Sequence, residues 1–176
     1  PAGVERKGKL SKVTTAALNR VDAVVGNPPY VRQEFIDTNH KKAYAGITIQ
    51  EWQGLKFSGR ADLHVYFWPH ASYFLPDDQG YFGFLTSSSW LDVEYGFALQ
   101  RWILENFCIE AILESSAEPW FSDARVATAV TILRREPDPK TRMKNPVRFV
   151  QIRRPLDDIY TDIERGDDRI EAAERL

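Results

Sequence analysis

The amino-acid sequence predicts an α/β fold, in which helices pack against a sheet. Apolar runs typical of strands alternate with helix-like segments in the order strand, helix, strand, helix, strand, strand. The 176 residues include 43% hydrophobic and 27% charged side chains, as expected of a globular domain with its own core. The same composition excludes a disordered, collagen-like or coiled-coil chain.

The first predicted strand covers residues 21–26 and ends abruptly. Its apolar run, VDAVVG, is typical of a buried strand, and the Asn-Pro-Pro at 27–29 halts it in a rigid turn. Residues 31–59 lack strong periodicity, so we expect a long irregular insert, which in a compact domain is more often functional than idle. A helix is expected over 61–75, although Pro69 leaves its middle undecided.

The second half of the chain supplies one more helix and the remaining strands. Strands are expected at 81–86, 109–113 and 125–133. The serines at 87–89 offer an N-cap to a helix over 90–107. Prolines interrupt the pattern after Arg135, so we expect the chain to leave the domain there.

The net charge of −2 conceals an uneven distribution. Residues 1–20 and 134–154 are basic, whereas the tail at 155–176 is acidic. Runs of this kind usually belong to a solvated surface, although a basic stripe also suits a phosphate backbone. Charge alone favours the solvated surface.

Several classes of protein and site are not expected. No apolar run approaches the roughly 20 residues that cross a bilayer, and the polar start lacks the apolar core of a signal peptide. The only cysteine, Cys108, cannot form an internal disulfide, which indicates a reducing compartment and a cytoplasmic protein. His40, His64 and His70 lack the partners of a metal site or a catalytic triad. We therefore expect neither a metal nor a membrane as a partner.

The segment Asn27-Pro28-Pro29-Tyr30 carries the chemistry. It follows a strand, and ligands of open α/β sheets bind at the carboxyl ends of strands. The Asn27 side chain and the Pro28 carbonyl can both accept hydrogen bonds, and the consecutive prolines fix the direction of that carbonyl. Tyr30 offers a flat ring on which a planar base can stack.

These groups suit a conjugated –NH₂ group as the substrate. The nitrogen lone pair of such a group is delocalised, so the amine is a poor nucleophile. Two acceptors directed at its hydrogens localise the lone pair and stabilise the positive charge that develops on nitrogen during attack. This chemistry requires neither a metal nor a strong general base.

VDAVVGNPPYVRQE, at residues 21–34, resembles the catalytic motif of amino-group DNA methyltransferases. The likeness is to the family of single-chain restriction-modification enzymes and phage-exclusion methylases, which use S-adenosylmethionine to methylate adenine N6. It implies a Rossmann-like S-adenosylmethionine-dependent methyltransferase fold, with this chain holding the C-terminal half of the sheet. It also implies that Asn27 and Pro28 hold the target amine beside the cofactor. Tyr30 then stacks on the flipped adenine, and Pro29 shapes the loop.

The likeness extends downstream in the family's order. It includes ADLHVYF (61–67), GYFGFLTSSSWL (80–91) and PWFSDARVATAVTIL (119–133). The first of these resembles the cofactor-side helix, which makes Phe67 the implied contact of the cofactor's adenine ring, although an aromatic at helical spacing usually packs inward. In the last, the aromatic that packs on the flipped base is implied to be Phe121, with Trp120 as the second candidate.

The resemblance divides the chain into three parts. Residues 1–20 form a basic lead-in, 21–135 the methyltransferase catalytic region, and 136–176 a proline-rich basic segment with an acidic tail. Family members bind the cofactor chiefly through a glycine-rich loop, which none of these parts contains. We therefore expect the cofactor-binding half to be missing and the strand at 21–26 to have an unprotected apolar edge. The expected partner is that complementary half or a second copy of the chain.

Three functions are compatible with these features. The first is methylation of adenine N6 in DNA, which requires base flipping, with basic segments on the phosphates and Tyr44 and Trp52 of the insert closing over the base. The second is methylation of another conjugated amine, namely a release-factor glutamine, cytosine N4 or an RNA base. The third is a non-catalytic nucleic-acid-binding or assembly module. The VRQE extension and the long insert favour DNA adenine.

Overall fold

The computed structural model describes residues 20–121 and 126–160. The strands are β1 (Ala23–Gly26), β2 (Tyr81–Ser87), β3 (Phe107–Ser115), β4 (Thr128–Arg135) and β5 (Arg148–Ile152). The α-helices are α1 (Thr38–Glu51), α2 (Leu63–Ser72), α3 (Gly96–Asn106), α4 (Pro139–Lys144) and α5 (Leu156–Tyr160), and short 3₁₀ helices cover Gln33–Phe35 and Ser88–Leu91. Within these two ranges, no helix has the length and apolar character that a bilayer span requires.

The strands form one sheet in the order β1-β2-β4-β3-β5, which confirms the α/β class. β1 is parallel to β2, β3 is parallel to β5, and β4 is antiparallel to both of its neighbours. The strands β1, β2, β3 and β5 therefore all end at one edge, which we call the carboxyl end of the sheet. The opposite edge, where β4 finishes, is its amino end.

One face of the sheet carries the core. Phe82 of β2 and Leu133 of β4 are register partners on this face, and both are buried. Trp68 of α2 is also fully buried, and its ring centroid lies 5.3 Å from that of Phe82 and 5.2 Å from that of Trp90. The helix over 61–75 is thus confirmed, and it continues through Pro69, which is buried beside Trp68. Burial of this aromatic surface is the main stabilising term of the domain.

Among the described residues, the other face of the sheet is apolar and no helix covers the groove across β1, β2 and β4. Val25, Gly83 and Ile132 lie side by side across β1, β2 and β4, and strand residues alone line the groove along them. Val25 is 85% exposed, so the prediction of a buried first strand is wrong. β1 is an edge strand of the described sheet, and only β2 pairs with it there. The predicted apolar, unprotected edge is therefore present in the part of the chain that the structure describes.

The expected irregular insert is wrong, because helix α1 occupies about half of it and a 3₁₀ helix covers Gln33–Phe35. Asp37 caps this helix by accepting a hydrogen bond from the Asn39 N–H at 2.8 Å. Thr48 is its only buried residue among those described. The helix therefore has no apolar stripe, which is the signal that periodicity detects.

The serine cap serves a different helix from the predicted one. The Ser87 side chain accepts a hydrogen bond from the Ser89 N–H and so caps the 3₁₀ helix, whereas α3 begins only at Gly96. A Cβ at position 96 would collide with the Trp90 carbonyl oxygen. The chain needs glycine at this close approach, and the predicted helix over 90–107 is interrupted there.

The prolines predicted that the chain leaves the domain after Arg135, and this prediction is wrong. Instead α4 follows, and β5 pairs with β3 as the last strand of the described sheet. Pro139 occupies the start of α4, where no backbone N–H is needed. The Asn145 amide donates to the Ile109 carbonyl at 2.8 Å and ties this segment to β3. The prolines of this segment therefore lie at the borders of helix α4 and strand β5.

Candidate active site at the carboxyl end of the sheet

The motif at 27–30 directly follows β1, so it lies at the carboxyl end of the sheet as predicted. Asn27 and Pro29 are exposed, Pro28 is buried, and Tyr30 is half-buried. The exposed Asn27 amide is therefore accessible from solvent. Burial of the intervening proline anchors the loop to the domain.

Tyr30 is held on two sides. Its hydroxyl donates to the Leu85 carbonyl of β2 at 3.0 Å. The Phe121 ring meets it in an edge arrangement, with 5.5 Å between the centroids and 74° between the planes. Burial raises the pKa of Tyr30 to about 12, so the hydroxyl keeps its proton at neutral pH. The structure thus brings Tyr30 together with Phe121, the better of the two candidates for base contact.

Tyr30 lines a cavity of about 490 Å³, a size typical of small-ligand sites. The wall comes from the segments after β1 and β2, the start of α2, the lead into α3 and the residues before β4. Its members are Tyr30, Arg32, Asp62, His64, Ser87, Ser88, Ser89, Asp92, Val93, Tyr95, Val126 and Ala127. Tyr30 is the only one of the four motif residues among them.

A chain of hydroxyl groups runs along this wall. Ser87 donates to the Ser89 hydroxyl at 2.9 Å, and Tyr95 donates to the Asp62 carboxylate at 2.9 Å. The Ser89 and Tyr95 oxygens lie 2.7 Å apart. Because Tyr95 gives its proton to Asp62, Ser89 is the donor in this middle bond, and the chain points in one direction towards the carboxylate. Burial raises the pKa of Tyr95 to about 12, against the Ser89 hydrogen bond and with support from the Asp62 charge.

Asp62 connects these hydroxyl groups to the segment that follows Tyr30. One carboxylate oxygen accepts the Tyr95 hydroxyl, and the other accepts the Gln33 N–H at 2.9 Å. Asp62 precedes α2 but makes no side-chain cap of it. Sequence reasoning missed Asp62 and Tyr95, because an aspartate before a helix is typical of an N-cap and its partners lie far along the chain.

His64 also lines this wall, although the sequence around it indicated neither a metal site nor a catalytic triad. Its side chain is 1% exposed, and burial lowers its pKa to about 4, although the nearby Asp62 charge opposes the shift. Neither ring nitrogen has a hydrogen-bond partner among the described residues. The imidazole is therefore neutral, with one donor and one acceptor unused.

Four other predicted residues lie elsewhere. Phe67 is half-buried and packs against the aromatic core, outside the wall of the Tyr30 cavity. Trp120 lines a neighbouring cavity of about 410 Å³. Trp52 packs edge-on against Trp102 with 5.0 Å between ring centroids, at the amino end of the sheet. The prediction that Trp52 closes over a base is therefore wrong for this structure. Tyr44, the other residue expected there, contacts Tyr66 at 5.8 Å and packs against the core.

The basic segment at 134–154 does not form one stripe. Arg134 lies 2.9 Å from the Glu110 carboxylate and 3.1 Å from that of Glu136. The Arg135 guanidinium lies 4.6 Å from the Trp52 ring centroid. Arg142 donates to the Glu136 carbonyl at 2.6 Å. These arginines hold the amino end of the sheet together. The basic residues 1–19 and the acidic residues 161–176 lie outside the described residues.

Residues 20–121 and 126–160 contain no group of three or more His, Cys, Asp or Glu side chains that could hold a metal ion. The polar side chains that line the cavity are hydroxyls, the Asp62 and Asp92 carboxylates, the Arg32 guanidinium and the His64 imidazole. Such a set binds a ligand through hydrogen bonds and charge.

Known proteins are similar to this chain in sequence and in fold. The family model described as Eco57I restriction-modification methylase matches residues 5–121. The Type II methyltransferase M.BstVI of Geobacillus stearothermophilus is 32% identical over 124 residues, which are 69% of this chain and 20% of that protein. The chain thus spans about a fifth of this relative's length.

Solved structures share the fold. The methyltransferase subunit of a type I restriction-modification system from Streptococcus thermophilus superposes with a TM-score of 0.60 at 18% identity, over 94% of this chain and 33% of that one. A Listeria monocytogenes protein, described as a class I S-adenosylmethionine-dependent methyltransferase, gives 0.55 at 17% identity, over 79% and 39%. The Rossmann-like methyltransferase fold is therefore confirmed, and the chain belongs to the Eco57I restriction-modification methylase family.

Proposed function

We propose that this chain carries the catalytic motif for S-adenosylmethionine-dependent methylation of adenine N6 in DNA. The observation that carries the proposal is the Tyr30 ring, fixed between Leu85 and Phe121 on the wall of a small-ligand cavity directly after β1. Membership of a restriction-modification methylase family supports DNA as the partner. A base inside a duplex does not reach such a cavity, so the target adenine is flipped out.

In this proposal the motif activates the amine by hydrogen bonding alone. The exposed Asn27 amide oxygen and the Pro28 carbonyl accept the two N–H groups of the target amine. These acceptors localise the nitrogen lone pair and stabilise its developing positive charge. Tyr30 stacks on the base, with Phe121 supporting its ring from the side. Trp120 remains the second candidate for the base contact.

The described residues fit the cofactor on one side. Tyr66 and Trp68 of α2 are buried, whereas Phe67 between them keeps part of its ring accessible, as a contact with an adenine ring requires. Asn27 and Pro28 lie at the adjoining end of β1 and are the other residues that we assign to it. When bound, S-adenosylmethionine supplies an electrophilic methyl group. This chain holds the acceptor amine towards it.

The test identifies the methylated product and, in parallel, measures binding of the cofactor. We expect the chain, supplied with a complementary cofactor-binding half, to transfer a labelled methyl group from S-adenosylmethionine to an adenine-containing oligonucleotide, with N6-methyladenine as the product in nucleoside analysis. Asn27→Ala should abolish transfer, whereas Asn39→Ala, at an exposed position of α1, should not change it. Calorimetric titration with the cofactor, with and without the oligonucleotide, is the companion measurement. A methylated cytosine or glutamine would identify a different acceptor, and absence of all binding would leave an assembly module.

We also propose that a complementary cofactor-binding half pairs with the exposed edge of β1 and covers the apolar face of the sheet. Doubly wound sheets carry helices on both faces, and this face is apolar across β1, β2 and β4. The Geobacillus stearothermophilus relative is about five times as long as the region that it shares with this chain, so most of that protein lies outside the shared region. In its absence, the exposed edge of β1 favours pairing between copies.

Sedimentation at tens of micromolar tests this second proposal. We expect the chain to self-associate and Val25→Lys to reduce that association, because a lysine on an edge strand opposes pairing. Ile49→Lys, at an exposed position of α1, is the matched control and should leave association unchanged. A monomeric wild-type profile would contradict the proposal.

A further inference from the structure

Among the described residues that line the cavity at the carboxyl end, His64 is the one whose side-chain polar atoms are fully buried without a hydrogen-bond partner. Tyr30 donates to Leu85, and Ser87, Ser89 and Tyr95 are joined in the chain that ends on Asp62. These groups satisfy one another within the wall. His64 also lines the cavity, but neither of its ring nitrogens has a partner among the described residues.

An arrangement of this kind is costly to the folded chain. His64 is 1% exposed, so water does not replace the missing partners. A buried polar group without a partner destabilises a fold, and native proteins retain few of them. Phenylalanine has a similar shape and would avoid this cost. No described residue explains the imidazole at this position, whereas a ligand in the cavity would supply the missing partner.

We propose that His64 is a recognition residue for the edge of the base that occupies this cavity. This inference rests on the proposed function and assigns a residue to its substrate specificity. A neutral imidazole has one N–H donor and one acceptor nitrogen. Adenine has complementary groups along one edge, an amino donor and a ring-nitrogen acceptor. Tyr30 contacts the face of the base in this arrangement, and His64 contacts its edge.

The experiment compares two single-stranded oligonucleotides that differ only at one central position, which is either adenine or abasic. Single strands avoid the cost of flipping. Fluorescence anisotropy should show that the wild-type chain prefers the adenine oligonucleotide. We expect His64→Phe to lower this preference about tenfold. His70→Phe is the matched control, because it makes the same change at an exposed position of the same helix, and it should keep the preference.

Thermal unfolding separates recognition from a structural role. Because His64→Phe removes unpartnered buried atoms, we expect its Tm to equal or exceed that of the wild type, whereas a structural histidine would lower it. An unchanged preference in the folded variant would overturn the inference and leave the proposed function intact. Equal binding of both oligonucleotides by the wild type would overturn both.

A measurement on the wild-type chain keeps the test valid even when the variant fails to fold. The ring ¹⁵N resonances of His64 report directly on hydrogen bonding at each nitrogen. We expect them to shift when the adenine oligonucleotide is added and to stay in place with the abasic one. Identical spectra with the two oligonucleotides would overturn the inference.

Discussion

The two ends of the sheet use their polar residues in opposite ways. At the amino end, Arg134 lies between two carboxylates and Arg135 lies over an aromatic ring, so each guanidinium already has its partners within the fold. At the carboxyl end, hydroxyl groups line a cavity, and His64 has no partner among the described residues.

The difference teaches that charge and polarity along the chain do not by themselves mark a binding surface. Three arginines of the most basic described segment have partners within the fold, whereas the wall of the candidate site contains a buried imidazole without one among the described residues. Hydrogen-bond and ion-pair partners distinguish the two cases. A polar group with partners inside the fold stabilises it, whereas a polar group without them is available to a ligand. Four variants test this contrast.

The largest expected effect is at the amino end. Arg134→Ala leaves the largely buried carboxylates of Glu110 and Glu136 without their partner, so the free energy of unfolding should fall by about 3 kcal/mol. Arg101→Ala breaks an exposed pair with Glu105, which solvent screens, so its effect on stability should be much smaller. Urea denaturation measures both. Equal losses would show that the amino-end ion pairs do not stabilise the fold more than a surface pair does.

The next effect is a pH dependence at the carboxyl end. The pKa of His64 is lowered from 6.5 to about 4 in the folded chain, so below pH 6.5 the unfolded chain binds a proton that the folded chain does not. Between pH 7 and pH 5 the wild type should therefore lose about 2 kcal/mol of stability relative to His64→Phe. Parallel stability curves for the two proteins would contradict the neutral, buried imidazole.

A smaller effect is expected in the hydroxyl chain. Tyr95→Phe removes the hydroxyl that joins Ser89 to Asp62, so Ser89 loses its acceptor and Asp62 loses one of its two donors, and the free energy of unfolding should fall by about 1.5 kcal/mol. Tyr73→Phe removes a hydroxyl from an exposed tyrosine and serves as the control, with no measurable change expected. If the two variants unfold alike in urea, the chain does not hold the cavity wall together.

The smallest effect is expected in the motif itself. Tyr30→Phe keeps the ring but removes the hydrogen bond to Leu85, which should cost about 1 kcal/mol. Tyr81→Phe, on a half-exposed tyrosine of β2, is the control. Hydrogen exchange of the amides in residues 27–34 should rise only in the first variant. Unchanged exchange would mean that the hydroxyl does not fix the motif.

Local patterns predicted much of the fold. The strands β2, β3 and β4 and the helix α2 were predicted because apolar spacing and β-branched runs report directly on local structure. Helix α1 was not, since it buries almost no side chain and so carries no periodic signal. Strand β5 was not predicted, because prolines border it and because its pairing with β3 is a long-range contact.

The sequence by itself determined the motif at 27–30, its position after a strand and the family that this implies, because these features depend on residues close together in the chain. Only the tertiary structure decided that Arg134 and Trp52 belong to the amino end and that Asp62, His64 and Tyr95 meet Tyr30 around one cavity. The physical reason is that burial and hydrogen-bond partners depend on which elements pack together. Such packing joins residues that are distant in sequence.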